Sequence, residues 1–258
     1  MKKVRWIFIV VVLLTTITTI AEETPVNAKV NPTDNQLQTI IQKEIQSKDC
    51  ITLRINTIKL PLTIKGKNDL ETVIVKLLTR SPKGIANLEI VYEILSDELW
   101  LEIDWSLLEQ NANGLEINIE MPEHMAVVIC QAEEDVFVSQ IAGLDIKTYG
   151  NQTTLLAVNG MVRIRDNGGN LVLKDILGDI WISDLGGTMV VKNVAGFVVI
   201  DSDTLLDLKM ENIVGDVTIS AQQGGLAEIK EIKGNVSVFA RAPIKTICSA
   251  IEGNLLLP

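Results

Sequence analysis

Glycine returns through the second half of this 258-residue chain at positions 143, 160, 178, 196, 215, 234 and 253, at intervals of 17, 18, 18, 19, 19 and 19 residues. A regular period of this size is the signature of a solenoid, in which each repeat is one coil stacked on the last. The neighbours of the glycine repeat with it. Two places before it stand Ile141, Val158, Ile176, Val194, Ile213, Ile232 and Ile251, all β-branched. Five places before it stand Val138, Leu155, Leu173, Val191, Met210, Ile229 and Cys248. Two places after it come Val162, Ile180, Val198, Val217, Val236 and Leu255, and four places after it Ile164, Ile182, Ile200, Ile219, Val238 and Leu257. The shorter first coil shifts these two columns by one place, to Leu144 and Ile146.

Apolar columns alternating with polar positions have the period of two that marks strands with one buried face. Each coil is thus expected to give one strand after the glycine and one before the next. A fully buried column residue contributes roughly 1.5–3 kcal/mol, against about 1 kcal/mol for strand propensity, so stacking decides the fold. The recurrent glycine is expected to mark a corner where a side chain or a negative φ would obstruct the turn. The pairs Gly168-Gly169, Gly186-Gly187 and Gly224-Gly225 mark the opposite corner, with Asp203-Thr204 in their place in one coil. The reading is an all-β, parallel β-solenoid over residues 136–258.

Residues 50–135 are rich in strands but lack the period. Ile90, Tyr92 and Ile94 run into Ser96-Asp97, and Leu99, Leu101 and Ile103 run out, which predicts a hairpin. Residues 115–121 alternate again before Pro122. This part is expected to form irregular coils or a small sandwich continuous with the solenoid. Residues 29–49 read as a linker and one short helix over 33–47. Thr33 or Asp34 caps it, Leu37, Ile40, Ile41 and Ile45 share a face, and it is expected to serve as a lid over the first strands, with a partner-binding helix as the alternative.

Residues 1–28 have the order of a secretory signal peptide. Lys2, Lys3 and Arg5 precede an uncharged run from Trp6 to Ile20, and cleavage-like small residues end at Ala21 or Ala28. The chain is therefore expected to be exported: secreted, periplasmic or on the cell surface. The formal net charge is −10, and losing the three basic residues before Ala21 takes it to −13. So acidic a chain repels phosphate backbones, which excludes nucleic acid as a partner. Cys50, Cys130 and Cys248 are odd in number and far apart, so they form no disulfide framework, and Cys248 is expected to be a buried free thiol. His124 stands alone in MPEHM, and no cofactor is implied.

From Leu115 onward the chain resembles the bacterial "putative adhesin" β-strand-repeat family, a family of unknown function. The resemblance rests on LEINIEMP (115–122), VFVSQIAG (136–143) and the phrases GDIWI (178–182), GDVTI (215–219), GNVSV (234–238) and GNLLL (253–257). LPLTIKGKNDLETVIV (60–75) looks like the family's opening strands. The resemblance implies an exported, strand-stacked protein and brings no catalytic residues.

Two function classes follow. The first is a non-catalytic, adhesin-like scaffold or binding protein of the cell surface or envelope, with an envelope protein or glycan as partner. Its candidate contact is Trp181, which falls between inward Ile180 and Ile182, with Arg163 and Val199 as column neighbours. The alternative is a carbohydrate-active enzyme, a polysaccharide lyase or hydrolase on a β-helix. Asp166 and Asp184, sixth after their glycines on adjacent coils, have the spacing of paired glycosidase carboxylates, roughly 5 to 9 Å. The same corner read as a calcium site would use Asp166, Asn167, Asp184, Asp201 and Asp203, although a solvated acidic ridge explains it as well. Lys174, Lys192 and Lys230 form a broken column, read as edge protection. The C-terminal coil, ending in Leu255-Leu256-Leu257-Pro258, is expected to support weak self-association.

Overall fold

The computed structural model describes residues 37–80, 89–104, 114–166, 168–184, 186–204 and 206–258, so the signal peptide expected over 1–28 and Asn167 of the calcium reading lie outside the described residues. Every element among them is a strand. The first eight are β1 (Gln38–Gln46), β2 (Thr52–Ile58), β3 (Leu62–Lys67), β4 (Thr72–Thr79), β5 (Glu89–Leu95), β6 (Glu98–Asp104), β7 (Leu115–Pro122) and β8 (Ala126–Ala132). Then come β9 (Val136–Ile141), β10 (Gly143–Thr148), β11 (Gln152–Val158), β12 (Val162–Asp166), β13 (Asn170–Ile176), β14 (Ile180–Asp184) and β15 (Thr188–Val194). The last are β16 (Val198–Ser202), β17 (Leu206–Ile213), β18 (Val217–Ala221), β19 (Gly225–Ile232), β20 (Val236–Ala240), β21 (Ile244–Ile251) and β22 (Leu255–Leu256).

The strands form two sheets of eleven. Sheet A runs β1-β4-β7-β3-β9-β11-β13-β15-β17-β19-β21, and sheet B runs β22-β20-β18-β16-β14-β12-β10-β8-β2-β6-β5. From β10 to β22 each coil gives one parallel strand to each sheet, as the period predicts. Like stands on like: Val162, Ile180, Val198, Val217 and Val236 are register partners in sheet B. Val158, Ile176, Val194, Ile213, Ile232 and Ile251 are register partners in sheet A. The inner faces of the two sheets meet in one apolar core that runs from Ile45 to Val238.

The recurrent glycine serves stacking rather than backbone conformation. None of the seven has a positive φ; that conformation belongs to the double glycines at the opposite corner and to the residue three places earlier. Gln140, Ala157, Asp175, Asn193, Asn212, Glu231 and Ala250 all take φ between 54° and 59°. What requires glycine at 178, 196, 215, 234 and 253 is the carbonyl of the glycine one coil before, which occupies the place a Cβ would take. Asn and Asp tolerate the left-handed turn because their short side chains find hydrogen bonds there. Asn193 Nδ2 donates to Asp175 Oδ1 at 2.7 Å, and Asn212 Nδ2 to Asn193 Oδ1 at 3.0 Å. A second ladder follows the glycine, where the Asn235 backbone N–H donates to Asp216 Oδ1 and that of Asn254 to Asn235 Oδ1.

The N-terminal strands continue both sheets as irregular coils, in an order the sequence does not follow. β2 pairs with β6 on one side and β8 on the other. β3 pairs likewise with β7 and β9. The coil at 52–67 thus lies between those at 98–122 and 126–141. Antiparallel strands finish this end: β4 and β1 on sheet A, and β5 on sheet B. Leu95 pairs with Glu98, so the hairpin turns at Ser96-Asp97 as expected. Lys43 Nζ donates to the Ile90 carbonyl at 2.7 Å and lies 4.8 Å from the Tyr92 ring, tying β1 to β5.

The helix expected over 33–47 is instead strand β1, with 33–36 outside the described residues. Its register against β4 slips between Thr39 and Ile41, leaving Ile40 as an extra residue. A bulge puts neighbours Ile40 and Ile41 both against the core, and the two-residue period then reaches Ile45. Bulge plus alternation reproduces the 40, 41, 45 spacing of a helix face.

At the other end Ile244, Cys248 and Ile251 hold the inward columns but are only partly buried. Cys248 is therefore half-buried rather than buried.

Candidate functional site

In sheet B, β12, β14, β16, β18 and β20 are each five residues long and stand in unbroken register, so their outward residues form straight columns. Arg163, Trp181 and Val199 are register partners on β12, β14 and β16. Arg165, Ser183 and Asp201 form the adjacent outward column on the same strands. The small Ser183 between larger neighbours leaves a depression of about 250 Å³, lined by Arg163, Arg165, Trp181, Ser183, Val199 and Asp201.

Trp181 is half-buried, and what fixes it is Phe197. The two rings meet edge to face at 89°, with centroids 4.7 Å apart, a geometry the aromatic quadrupole favours. Sequence reasoning missed Phe197, although a signal exists. The position after the recurrent glycine is Asp179, Asp216, Asn235 and Asn254 in four of the last five coils, and Phe197 is the exception among those five. Its backbone N–H still joins the ladder, donating to Asp179 Oδ1 at 3.1 Å. Its side chain is thereby free to brace Trp181.

The two arginines differ. Arg165 donates to Asp145 Oδ1 at 2.7 Å and is tethered there. Arg163 is exposed and makes no ion pair among the described residues. The depression itself is walled almost wholly by apolar atoms, with Arg163 on the coil before Trp181 and the exposed Asp201 on the coil after it.

The acidic corner does not gather on one side. Asp166 and Asp184 are register partners, and Asp184 pairs onward with Ser202. Asp166 is 4% exposed and Ser202 is fully buried, so Asp166 belongs to a polar column turned inward and is no part of a solvated ridge. Asp201 faces outward beside Trp181, and Asp203 is exposed beyond the strand end. Among the described residues no group of three His, Cys, Asp or Glu comes together around a common point.

Lys174 and Lys192 are register partners in mid-sheet A, followed by Glu211 and Lys230. This corrects their reading as edge protection, since they lie on a face. Lys192 bonds Glu211 directly, which holds the Glu211 carboxyl below the usual carboxylate range. A depression of about 300 Å³ opens among Lys192, Glu211 and Lys230, with Lys209 and Glu228 beside them, so acidic and basic residues both line it. His124 is exposed beside the turn after β7.

No family profile and no curated protein matches this chain. Solved structures similar to it include a "putative adhesin" from Bacteroides fragilis NCTC 9343, 17% identical, over 86% of this chain and 97% of that one, with a TM-score of 0.41. Another is a "putative cell adhesion protein" from Clostridium sporogenes ATCC 15579, 16% identical, over 84% of this chain and 100% of that one, with a TM-score of 0.29. A third is a "putative lipid binding protein" from Parabacteroides distasonis ATCC 8503, 11% identical, over 83% of this chain and 95% of that one, with a TM-score of 0.33.

Proposed function

We propose that this chain is an exported, non-catalytic β-solenoid that acts as an adhesin-like binding or scaffold protein of the cell surface or envelope. The observation that supports it is the braced Trp181 on the outer face of sheet B, beside Arg163 and Val199. A rigid aromatic on a rigid sheet meets a partner with little side-chain entropy left to lose. The partner is an envelope protein or a glycan. Export follows from the basic, apolar and small-residue order of residues 1–28. Copies of the chain also meet weakly through the exposed Leu255, Leu256 and Leu257.

The test is a pull-down from envelope extract and a glycan array, run with the parent and with Trp181→Ala. Capture by the parent that the variant loses supports the reading. Equal capture by both removes its located contact. Turnover of a polysaccharide by the parent would instead revive the enzyme class.

A further inference from the structure

We propose that the depression beside Trp181 seats one aromatic side chain of a protein partner; this rests on the proposed binding role of that face and chooses a protein over a glycan. The lining decides first. The depression is bordered by Trp181, Val199, Arg163, Arg165, Ser183 and Asp201, yet the surface it exposes is almost wholly carbon. A pyranose seated there would bury hydroxyls against a wall that offers them no partner, and each unmade hydrogen bond costs affinity. A carboxylate or phosphate would lose more, because it would leave its water without gaining a counter-charge inside. A phenyl ring brings no polar group that needs one. Size agrees. An apolar cavity of about 150 Å³ holds a benzene ring. The depression measures about 250 Å³, room for one ring and the atoms that attach it.

Rigidity and charge point the same way. Phe197 meets Trp181 edge to face, so the Trp181 ring is in place before a partner arrives, and a second ring adds a further aromatic contact. The charged side chains surround this apolar centre. Arg165 is engaged by Asp145, whereas Arg163 and Asp201 are exposed on β12 and β16. An apolar centre inside a polar rim is the anatomy of a protein–protein contact, in which the rim keeps water from the anchor. With ordinary strand separation, Arg163 and Asp201 stand roughly 10 Å apart across Trp181. The complementary partner segment is therefore extended, with an acidic residue on one side of its aromatic residue and a basic residue on the other.

The experiment titrates the full chain with four probes, followed by ligand-observed NMR. They are acetyl-Glu-Phe-Lys-amide, the same tripeptide with serine in place of phenylalanine, acetyl-Lys-Phe-Lys-amide and methyl glucoside. Trp181→Ala, Ser183→Phe and Arg163→Gln are measured in parallel, and thermal melting verifies that each variant is folded. The first tripeptide should bind, and the serine tripeptide and the glucoside should not. Trp181→Ala should weaken binding about thirtyfold, as loss of an interface anchor does. Ser183→Phe should weaken it as well, because it fills the depression with the protein's own ring. Exchanging the probe's glutamate for lysine should cost about threefold in the parent and nothing in Arg163→Gln, since exposed ion pairs contribute little. Equal binding of the phenylalanine and serine tripeptides, or binding that survives both Trp181→Ala and Ser183→Phe, overturns the assignment. So does binding of no tripeptide. If the glucoside binds instead and Trp181→Ala loses it, the binding face stands and the aromatic anchor falls.

Discussion

The solenoid from β9 onward and the strands before it use the same two sheets yet differ in how their coils find one another. In the regular part each coil stacks on its neighbour in sequence, and Gly178 lies under Gly196 because no side chain fits between the two backbones. In the N-terminal part the coil at 52–67 is inserted between coils formed later in the chain. Periodicity is visible only where stacking partners are also sequence neighbours. Both regions pair their coils in parallel, but one stacks them in chain order while the other interleaves them out of order and is finished by antiparallel strands.

That difference is open to attack first through glycine. Gly196→Ala places a Cβ against the Gly178 carbonyl, where only separation of two coils relieves the clash. The expected loss is about 3 kcal/mol, at the upper end of overpacking. Gly114 before β7 has φ of 85°, and a Cβ added there would meet nothing within 4 Å. Gly114→Ala therefore strains only the backbone, at about 1–2 kcal/mol. Urea denaturation of both variants should show the larger loss for Gly196→Ala. The reverse order would mean that backbone conformation, not coil contact, governs the recurrent glycine.

The same contrast explains what the sequence made legible. The columns at Ile176 and Ile180 were readable because burial on one face forces a two-residue period. The bulge at Ile40 was not, since one extra residue turns that period into the 3–4 spacing of a helix. The insertion of β2 and β3 between later coils left no local mark, because Leu53 and Val127 are 74 positions apart in sequence and adjacent in register. Trp181 was readable as outward from its place between Ile180 and Ile182. Phe197 was visible only as a break in the Asp and Asn column. Asp166, placed in a turn by its DNGG context, instead closes a strand with its side chain inward.

The two ends also differ in cover, and the cysteines report it. Cys50, at the N-terminal end, is 2% exposed, and burial, then Asp49 and Asp97, push its thiol up. Cys248 in β21 is half-buried, and burial alone pushes it up. Cys130 is exposed on β8. Iodoacetamide on the native protein should alkylate Cys130 first, Cys248 next and Cys50 last, because reaction needs an accessible thiolate. Mass spectrometry after timed quenching reads the order. Cys50 reacting before Cys248 would show that the antiparallel strands do not cover the N-terminal end.

A smaller difference lies in acid. Glu120 on β7 accepts from Lys67 and Lys76, and the Lys67 hydrogen bond is the main cause of its lowered pKa. A lowered carboxylate pKa contributes stability that is present above the unfolded value and lost as pH falls through the folded one. The parent should therefore lose more stability than Glu120→Gln on acidification below about pH 4. Equal losses in thermal melts across that range would show that the lysines add nothing to the N-terminal coils.

The smallest effect on stability is expected at the opposite end. Leu256 is 54% exposed and sits in register with Ser237 at the outer face of sheet B. Replacing it with lysine removes no core contact, so Leu256→Lys should change the unfolding free energy by no more than about 0.5 kcal/mol. Its effect should fall on association instead. A lysine from each copy brought into one contact places like charges together where Leu255, Leu256 and Leu257 had offered apolar surface. Sedimentation velocity over a concentration series should show the parent shifting toward dimer and Leu256→Lys remaining monomeric, while Trp181→Ala behaves as the parent. If Leu256→Lys associates like the parent, the contact between copies is not this apolar surface. Loss of association in Trp181→Ala alone would move it along sheet B to the Trp181 depression, where it would compete with the envelope partner.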